Sequence, residues 1–293
     1  MEFDSFIAKA DVLLEALPYI QQFRNSIVLI KFGGSVMESP KLIHSILQDA
    51  AFMAASGMKP IIVHGGGKAI STALKKENIE PKFINGLRYT NKNAIDVVDH
   101  VLHQEINAKL VHYLREKCSA PAVAVSGKNI LRCEKITTPD TETGAPLDLG
   151  FVGKVINVDT AQLDWYLNRN QIPIVTPLSC DMDGQIFNVN ADMAACVIAA
   201  QMQVRKLVFL SDVAGVLKNI EDPTSLISTI HCSQIEQMQK DGIISGGMLP
   251  KLASAREAIL AGVGKVHMVN GRIRHAALLE IFTDKGVGTQ IVP

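Results

Sequence analysis

Two hydrophobic patterns divide the chain. Near its start, Phe3, Phe6, Ile7, Ala10, Leu13, Leu14, Leu17 and Ile20 recur at helical spacing, with Asp4, Lys9, Asp11 and Glu15 off the stripe. Residues 3–20 therefore read as an amphipathic helix, which Pro18 is expected to kink or end. Its apolar face needs a cover, either its own domain or another subunit. From Ile27 onward the pattern changes to short, continuous apolar runs, as in strands buried on both faces. Ile27-Val28-Leu29-Ile30 leads into Gly33-Gly34-Ser35, and Ile61-Ile62-Val63 leads into His64-Gly65-Gly66-Gly67, with a helical stretch after each. Further strands are predicted at 172–177, 207–210, 265–269 and 289–292, and a helix over 190–203. Residues 121–138 hold two β-like stretches around Ser126-Gly127-Lys128-Asn129, a hairpin candidate. The polar segment 137–148 is expected to be an exposed loop, and Asp183-Gly184 a tight turn. Strands alternating with helices imply a mainly parallel sheet covered on both faces, with ligands held outside the carboxyl ends of its strands.

Composition narrows the class. A chain of 293 residues suits one large α/β domain or two lobes, and 47% hydrophobic with 20% charged residues can fill a sizeable core. Lys plus Arg and Asp plus Glu number 29 each, so the chain lacks the positive footprint of a nucleic-acid binder. Its longest apolar run, Met193 to Ala200, is far short of the ~18 residues of a membrane span. The first residues carry early acids and no signal-peptide pattern. The 5 cysteines are far apart with no C-x-x-C, which favours buried spectator thiols in a reducing cytoplasm over disulfides or a zinc site.

Chemistry is expected at the glycine turns. Glycines between a buried strand and a helix let the backbone approach a ligand, and the free N–H groups of the helix start favour an anion. Neither turn has the spacing of a P-loop or of a G-x-G-x-x-G dinucleotide site. Lys31 stands just before one diglycine, where packing gives it no purpose. Ser245-Gly246-Gly247-Met248-Leu249-Pro250-Lys251 puts a second lysine near a helix start. Two lysines and two N–H nests are what phosphoryl transfer needs, because the migrating group spreads charge over three oxygens. Asn188-Val189-Asn190-Ala191-Asp192 offers an aspartate to hold both lysines, or simply a helix cap.

Taken in order, Lys31-Phe32-Gly33-Gly34, His64-Gly65-Gly66-Gly67, Asn85-Gly86-Leu87-Arg88, Asn188-Val189-Asn190-Ala191-Asp192, Ser211-Asp212-Val213-Ala214-Gly215 and Gly246-Gly247-Met248-Leu249-Pro250-Lys251 resemble the N-acetylglutamate kinases of the amino-acid kinase family. The resemblance runs from about Ile27 to the C-terminus. It implies a three-layer αβα sandwich behind the N-terminal helix, and ATP-dependent phosphorylation of the γ-carboxylate of N-acetyl-L-glutamate, the second step of the acetylated route to arginine. By the same resemblance Lys31 and Lys251 would stabilise the transferring group, Gly34 and Gly66 would cradle it through N–H groups, and Asp192 would orient the lysines. Gly66, Gly67, Arg88, Asn188 and Asn190 would hold the acceptor. Asp212, Val213, Ala214, Gly215, Val216 and Leu217, with Ile243, Ile244 and Ser245, would line the ATP site. Mg²⁺ would be held mainly by the nucleotide phosphates, with no metal ligands from the protein.

The N-terminal helix, ending Leu17-Pro18-Tyr19-Ile20, and the stretch from Gly271 to Thr283 resemble the arginine-inhibited, hexameric branch of that family. This implies a trimer of dimers joined by the helix, and an L-arginine site at Tyr19, Lys206, His267 and Glu280; ordinary polar residues at a helix junction are the plainer alternative for these four. A PII-type signalling protein is a further partner that the resemblance admits. The implied division is an oligomerisation helix (1–25), an acceptor lobe (26–204) and an ATP lobe (205–293). Glutamate 5-kinase, carbamate kinase and a catalytically silent arginine sensor are the rival readings.

Overall fold

The computed structural model describes residues 2–140, 144–219, 221–222, 224–244, 248–283 and 286–293. Strands and helices alternate as the apolar runs imply. The strands are β1 (Ile27–Phe32), β2 (Lys59–His64), β3 (Phe83–Ile84), β4 (Leu87–Arg88), β5 (Ala122–Val125), β6 (Leu131–Pro139), β7 (Pro146–Val158), β8 (Ile172–Val175), β9 (Leu178–Cys180), β10 (Ile186–Val189), β11 (Lys206–Ser211), β12 (Thr229–His231), β13 (Val266–Asn270) and β14 (Thr289–Val292). The helices are α1 (Glu2–Phe23), α2 (Pro40–Ala55), α3 (Gly67–Lys76), α4 (Lys92–Asp99), α5 (Ala108–Cys118), α6 (Gly127–Ile130), α7 (Thr160–Leu167), α8 (Ala191–Gln201), α9 (Ile235–Lys240), α10 (Met248–Leu260) and α11 (Ala276–Ile281); a π-helical segment, His100–Asn107, joins α4 to α5.

Eight strands form one sheet in the order β12-β14-β13-β11-β1-β2-β8-β5. All neighbours within it run parallel except β13 and β14. Alternation along each strand feeds two cores. Leu29, Ile61, Val63, Leu207 and Phe209 pack on one face with Ala195 and Ile198 of α8 and Leu252 and Ala255 of α10. Val28, Ile30, Phe32, Ile62 and Val208 face the other way, onto Ile46 and Leu47 of α2, Leu110 of α5 and Ala276 of α11. Helices on both sides of a mostly parallel sheet make the α/β three-layer architecture. A small closed barrel, β10-β7-β6-β9, stands beside it.

Three local expectations change. Helix α1 continues through Pro18 to Phe23 rather than ending there. The residues around Ser126–Asn129 form the short helix α6 instead of a hairpin turn, because β5 enters the main sheet while β6 enters the barrel. The segment 137–148 is largely strand: Thr138 pairs with Leu147 and Pro139 with Pro146, and residues 141–143 lie outside the described ones. The turn at Asp183-Gly184 is as expected, with Gly184 at φ 84 between the antiparallel β9 and β10. Along α1, Phe3, Phe6, Ile7, Leu13, Leu14 and Leu17 are exposed, so the apolar stripe has no cover from its own chain over most of its length. Only its end is seated: Phe23 is buried, Tyr19 packs near Phe282 with ring centroids 6.2 Å apart, and Arg205 donates to the Gln22 carbonyl at 2.7 Å. No helix among the described residues is long and apolar enough to cross a membrane.

Candidate active site

The carboxyl ends of β1 and β2 meet at their glycine turns, where Gly65 donates to the Phe32 carbonyl at 2.8 Å. Lys31 is the fifth residue of β1 and shares the face of Leu29, so it points toward α8 rather than α2. There its ammonium lies 2.6 Å from Oδ1 of Asp192 in the first turn of α8. Asn190 caps that helix, its Oδ1 accepting from the N–H groups of Asp192 (2.8 Å) and Met193 (3.1 Å). The two readings of this motif fall to different residues: Asn190 is the cap and Asp192 is the partner of Lys31, with Lys251 acting on it as a nearby charge. Burial works to raise the Asp192 pKa, but the charges of Lys31 and Lys251 outweigh it and hold the carboxyl below its usual range. Lys251, in the first turn of α10, has its own pKa lowered by burial, with Asp192 opposing.

Lys31 and Asp192 line a cleft of about 220 Å³ with Gly34, Gly66, Gly67, Arg88, Asn188 and Asn190, and Lys251 stands outside that lining. Gly34 sits at φ +59, and a Cβ there would come within 3.3 Å of the Asp212 carboxylate. The Asn85-Gly86 turn joins β3 to β4 and sets Phe83 opposite Arg88. The Arg88 guanidinium stacks 4.5 Å above the Phe83 ring and donates through Nη2 to the Gly67 carbonyl (2.7 Å) and Ser71 Oγ (2.9 Å). Its Nη1 is buried without a partner among the described residues, and burial lowers the group's pKa. A guanidinium stays charged in a protein, so Nη1 is a donor that no acceptor among the described residues takes. Asn188 donates to Thr90 Oγ1 at 3.3 Å, and that hydroxyl in turn donates to the Arg88 carbonyl.

The residues expected at a nucleotide divide. Asp212 and Val213 are exposed just past β11, with Ser35 donating to Asp212 Oδ1 at 2.5 Å and Arg272 to Ser35 Oγ at 3.3 Å. Val216 and Ile244 have their side chains in the core, so only their backbones can face a ligand. Gly215 is buried beside Thr289, while Ala214, Leu217 and Ile243 are half-buried. Ser245, with Gly246 and Gly247, lies outside the described residues. Sequence reading missed Ser35, Ser71, Phe83, Thr90 and Arg272. Only Phe83 left a signal, being the hairpin partner that an Asn-Gly turn assigns to Arg88.

A second buried cluster lies at the amino ends of β11 and β13. His267 of β13 donates from Nδ1 to Glu280 Oε1 of α11 at 2.6 Å, and Glu280 Oε2 accepts from the N–H groups of Val287 (2.7 Å) and Gly288 (3.1 Å). Burial lowers the His267 pKa, which keeps the imidazole neutral beside an ionised Glu280 whose carboxyl is held low by His267 and Val287 against the pull of burial. Lys206 of β11 lies over the Phe23 ring at 4.7 Å, its pKa lowered to about 8 by burial, with Glu280 opposing. Lys206, His267 and Glu280 are thus brought together where the end of α1 meets the sheet, and Tyr19 packs near Phe282 of the same region.

A model of the amino acid kinase family matches residues 26–270. Acetylglutamate kinases are similar to this chain along nearly all its length. That of Caldanaerobacter subterraneus subsp. tengcongensis is 44% identical over 99% of this chain and 95% of its own. That of Methanocaldococcus jannaschii is 40% identical over 99% of this chain and 98% of its own. Among solved structures, N-acetylglutamate synthase from Neisseria gonorrhoeae, complexed with coenzyme A and N-acetyl-glutamate, superposes with a TM-score of 0.79 at 23% identity over 96% of this chain. This chain spans only 62% of that one. Carbamate kinase from Giardia lamblia, bound to AMP-PNP, gives 0.62 at 16% identity over 92% of this chain and 98% of its own. Those two likenesses concern the fold alone. The family match and the extent of the acetylglutamate kinase similarity place the chain in the amino acid kinase family, among the acetylglutamate kinases, as a kinase.

Proposed function

We propose that this kinase transfers the γ-phosphoryl group of ATP to the γ-carboxylate of N-acetyl-L-glutamate, giving N-acetyl-L-glutamyl 5-phosphate and ADP in the acetylated route to arginine, and that L-arginine inhibits it. The observation that carries the reading is one cleft lined both by the Lys31–Asp192 pair with its glycine turns and by Arg88 with an unpaired Nη1. The first set suits a migrating phosphoryl group, the second a carboxylate. The similarity to acetylglutamate kinases supports this acceptor over carbamate or free glutamate.

In this reading the acceptor carboxylate is already ionised at neutral pH, so no protein base is needed. Arg88 would clamp the acceptor's other carboxylate, with Gly67, Asn188 and Asn190 completing its cradle. Asn190 would offer Nδ2, since its Oδ1 is taken by the cap. Lys31, Lys251 and the N–H groups of Gly34 and Gly66 would balance the charge on the transferring group, and Asp192 would keep the two ammonium groups from repelling each other. The donor set, cations and N–H groups, fits a polyphosphate. Asp212 to Leu217 with Ile243, Ile244 and Ser245 would hold the nucleotide, whose phosphates would carry Mg²⁺. Closure of an ATP lobe (205–293) on an acceptor lobe (26–204) would bring Lys251 toward Lys31.

At the second cluster, Glu280 and the lone pair of His267 Nε2 would take an arginine guanidinium, Lys206 its carboxylate, and Tyr19 would cover it from α1. The exposed stripe of α1 would join dimers into a hexamer. ADP release from Mg-ATP and N-acetyl-L-glutamate, with and without L-arginine and with Lys251→Ala as the blank, tests the whole reading. Activity suppressed by arginine is expected. Activity with glutamate or carbamate alone would overturn the acceptor, and activity indifferent to arginine the inhibitor. Deleting residues 1–24 is expected to leave dimers by light scattering; an unchanged mass would overturn the role of α1.

A further inference from the structure

His64 is the last residue of β2, opposite Phe32 of β1, and is completely buried. Its Nδ1 lies 3.1 Å from the carbonyl oxygen of its own neighbour, Gly65. A carbonyl can only accept, so Nδ1 carries the hydrogen and Nε2 holds the lone pair. Nε2 is buried without a partner among the described residues, as is Nδ1 of His103 in the π-helical segment. Burial, with the His103 charge as a lesser cause, lowers the His64 pKa to about 4, so the ring is neutral at physiological pH.

Gly65 is therefore held at both ends: its N–H by the Phe32 carbonyl at 2.8 Å, its carbonyl by His64. The Gly65–Gly66 peptide is trans and planar, which points the Gly66 N–H away from the fixed carbonyl. No acceptor among the described residues takes that N–H, and Gly66 lines the cleft beside Lys31 and Asp192. The opposite side of Gly66 is closed, because a Cβ there would lie 2.7 Å from Leu102 and 2.9 Å from Ile106.

We propose that His64 is a positioning residue for phosphoryl transfer: by holding the Gly65 carbonyl it fixes the peptide whose N–H meets the transferring group at Gly66. The role rests on the phosphoryl-transfer reading above. It is a role for one ring nitrogen, so two isosteric amides separate it from packing. In His64→Asn the Nδ2 group takes the place of Nδ1 and can still donate to Gly65; in His64→Gln the amide reaches the place of Nε2 and cannot.

The full-length enzyme is assayed with saturating and varied Mg-ATP and N-acetyl-L-glutamate. His64→Gln is expected to lose ~100-fold in kcat, the scale of one misplaced oxyanion-type donor, with both KM values nearly constant, while His64→Asn recovers most of that loss. Thermal unfolding should shift alike in the two variants. Binding of Mg-ADP with aluminium fluoride, a mimic of the transferring group, should weaken in the Gln variant and persist in the Asn variant. ¹⁵N shifts of histidine-labelled protein, assigned by the signal that His64→Asn removes, should show His64 protonated on Nδ1. Equal kcat losses in the two variants, a loss confined to KM, or protonation on Nε2 would each overturn the role. A wild-type chain that phosphorylates no acceptor would instead overturn the functional reading on which it rests.

Discussion

Lys31–Asp192, an ion pair, and His267–Glu280, a neutral imidazole donating to a carboxylate, both close at 2.6 Å, and the same sheet carries them at opposite ends. Asp212 follows the 6 residues of β11 that begin with Lys206, about 20 Å along the strand at ~3.3 Å per residue. The two clusters differ in what they leave open. At the carboxyl end, donors remain unspent: Arg88 Nη1 and the Gly66 N–H have no partner among the described residues, and both residues line the cleft. At the amino end, Glu280 is already engaged by His267, Val287 and Gly288. The first is preorganised to receive charge, as a site that acts on a transition state must be. In the second the carboxylate is already spent on its own chain, while His267 Nε2 is buried without a partner among the described residues, so a ligand that takes Glu280 has to share or displace internal bonds and thereby shift α11. A ligand acts at a distance only through such a difference between states.

That contrast can be broken experimentally, beginning with the largest effect. Asp192→Asn keeps the shape but removes the charge between two lysines; kcat is expected to fall ~1,000-fold in the ADP-release assay, and retention of wild-type turnover would refute preorganisation at this end. Arg88→Lys keeps the charge and loses the fork, so the KM for the acceptor should rise ~30-fold with a smaller change in kcat, read from initial rates. Glu280→Gln should raise the arginine concentration for half-inhibition ~30-fold, with turnover in its absence within ~3-fold, because it removes the carboxylate proposed to meet the guanidinium at the end of the sheet away from the cleft.

Smallest and most specific is a pH effect on stability. His64 has its pKa lowered by burial to about 4, so its neutral form stabilises the fold above 6.5, the usual imidazole value, and that contribution is lost as pH falls toward 4. Asp49 is the opposite case. Burial raises its pKa from 3.8 to about 6 despite His275 at 2.6 Å, so the fold favours its protonated form and loses stability as pH rises from about 4 to 6. The two trends oppose each other across nearly the same window. Denaturant titrations should therefore show Asp49→Asn with stability falling more steeply on acidification than wild type, and His64→Asn with stability falling as pH rises through 6. Parallel curves for all three proteins would contradict both assignments.

Much of this molecule is legible in its sequence because local rules act without competition there. Continuous apolar runs such as Ile27–Ile30 have few alternatives to a buried parallel strand, and the glycine turns after β1 and β2 mark the carboxyl ends where ligands bind. The helix expected over 190–203 is found at Ala191–Gln201, because its apolar spacing has no competing partner. Where local signals compete with long-range pairing, the sequence misleads. Ser126–Asn129 looks like a hairpin turn, yet β5 and β6 belong to different sheets, and the Thr- and Pro-rich 137–148 is drawn into the β6–β7 ladder. Pro18 ends nothing, since a helix interior lacking one hydrogen bond survives when its last turn is anchored by Phe23 and Arg205.

The sequence by itself determined the α/β class, the family, and which lysines, glycines and acids could serve phosphoryl transfer, because residue type and spacing fix chemistry and periodicity. Only the tertiary structure decided that Asn190 is the cap while Asp192 meets Lys31, that Phe83, Ser71 and Thr90 support the Arg88 site, that Val216 and Ile244 are core, and that most of the stripe of α1 stays bare. Each of those depends on which surfaces, far apart in the chain, are brought within a few ångströms, and no local pattern encodes that distance.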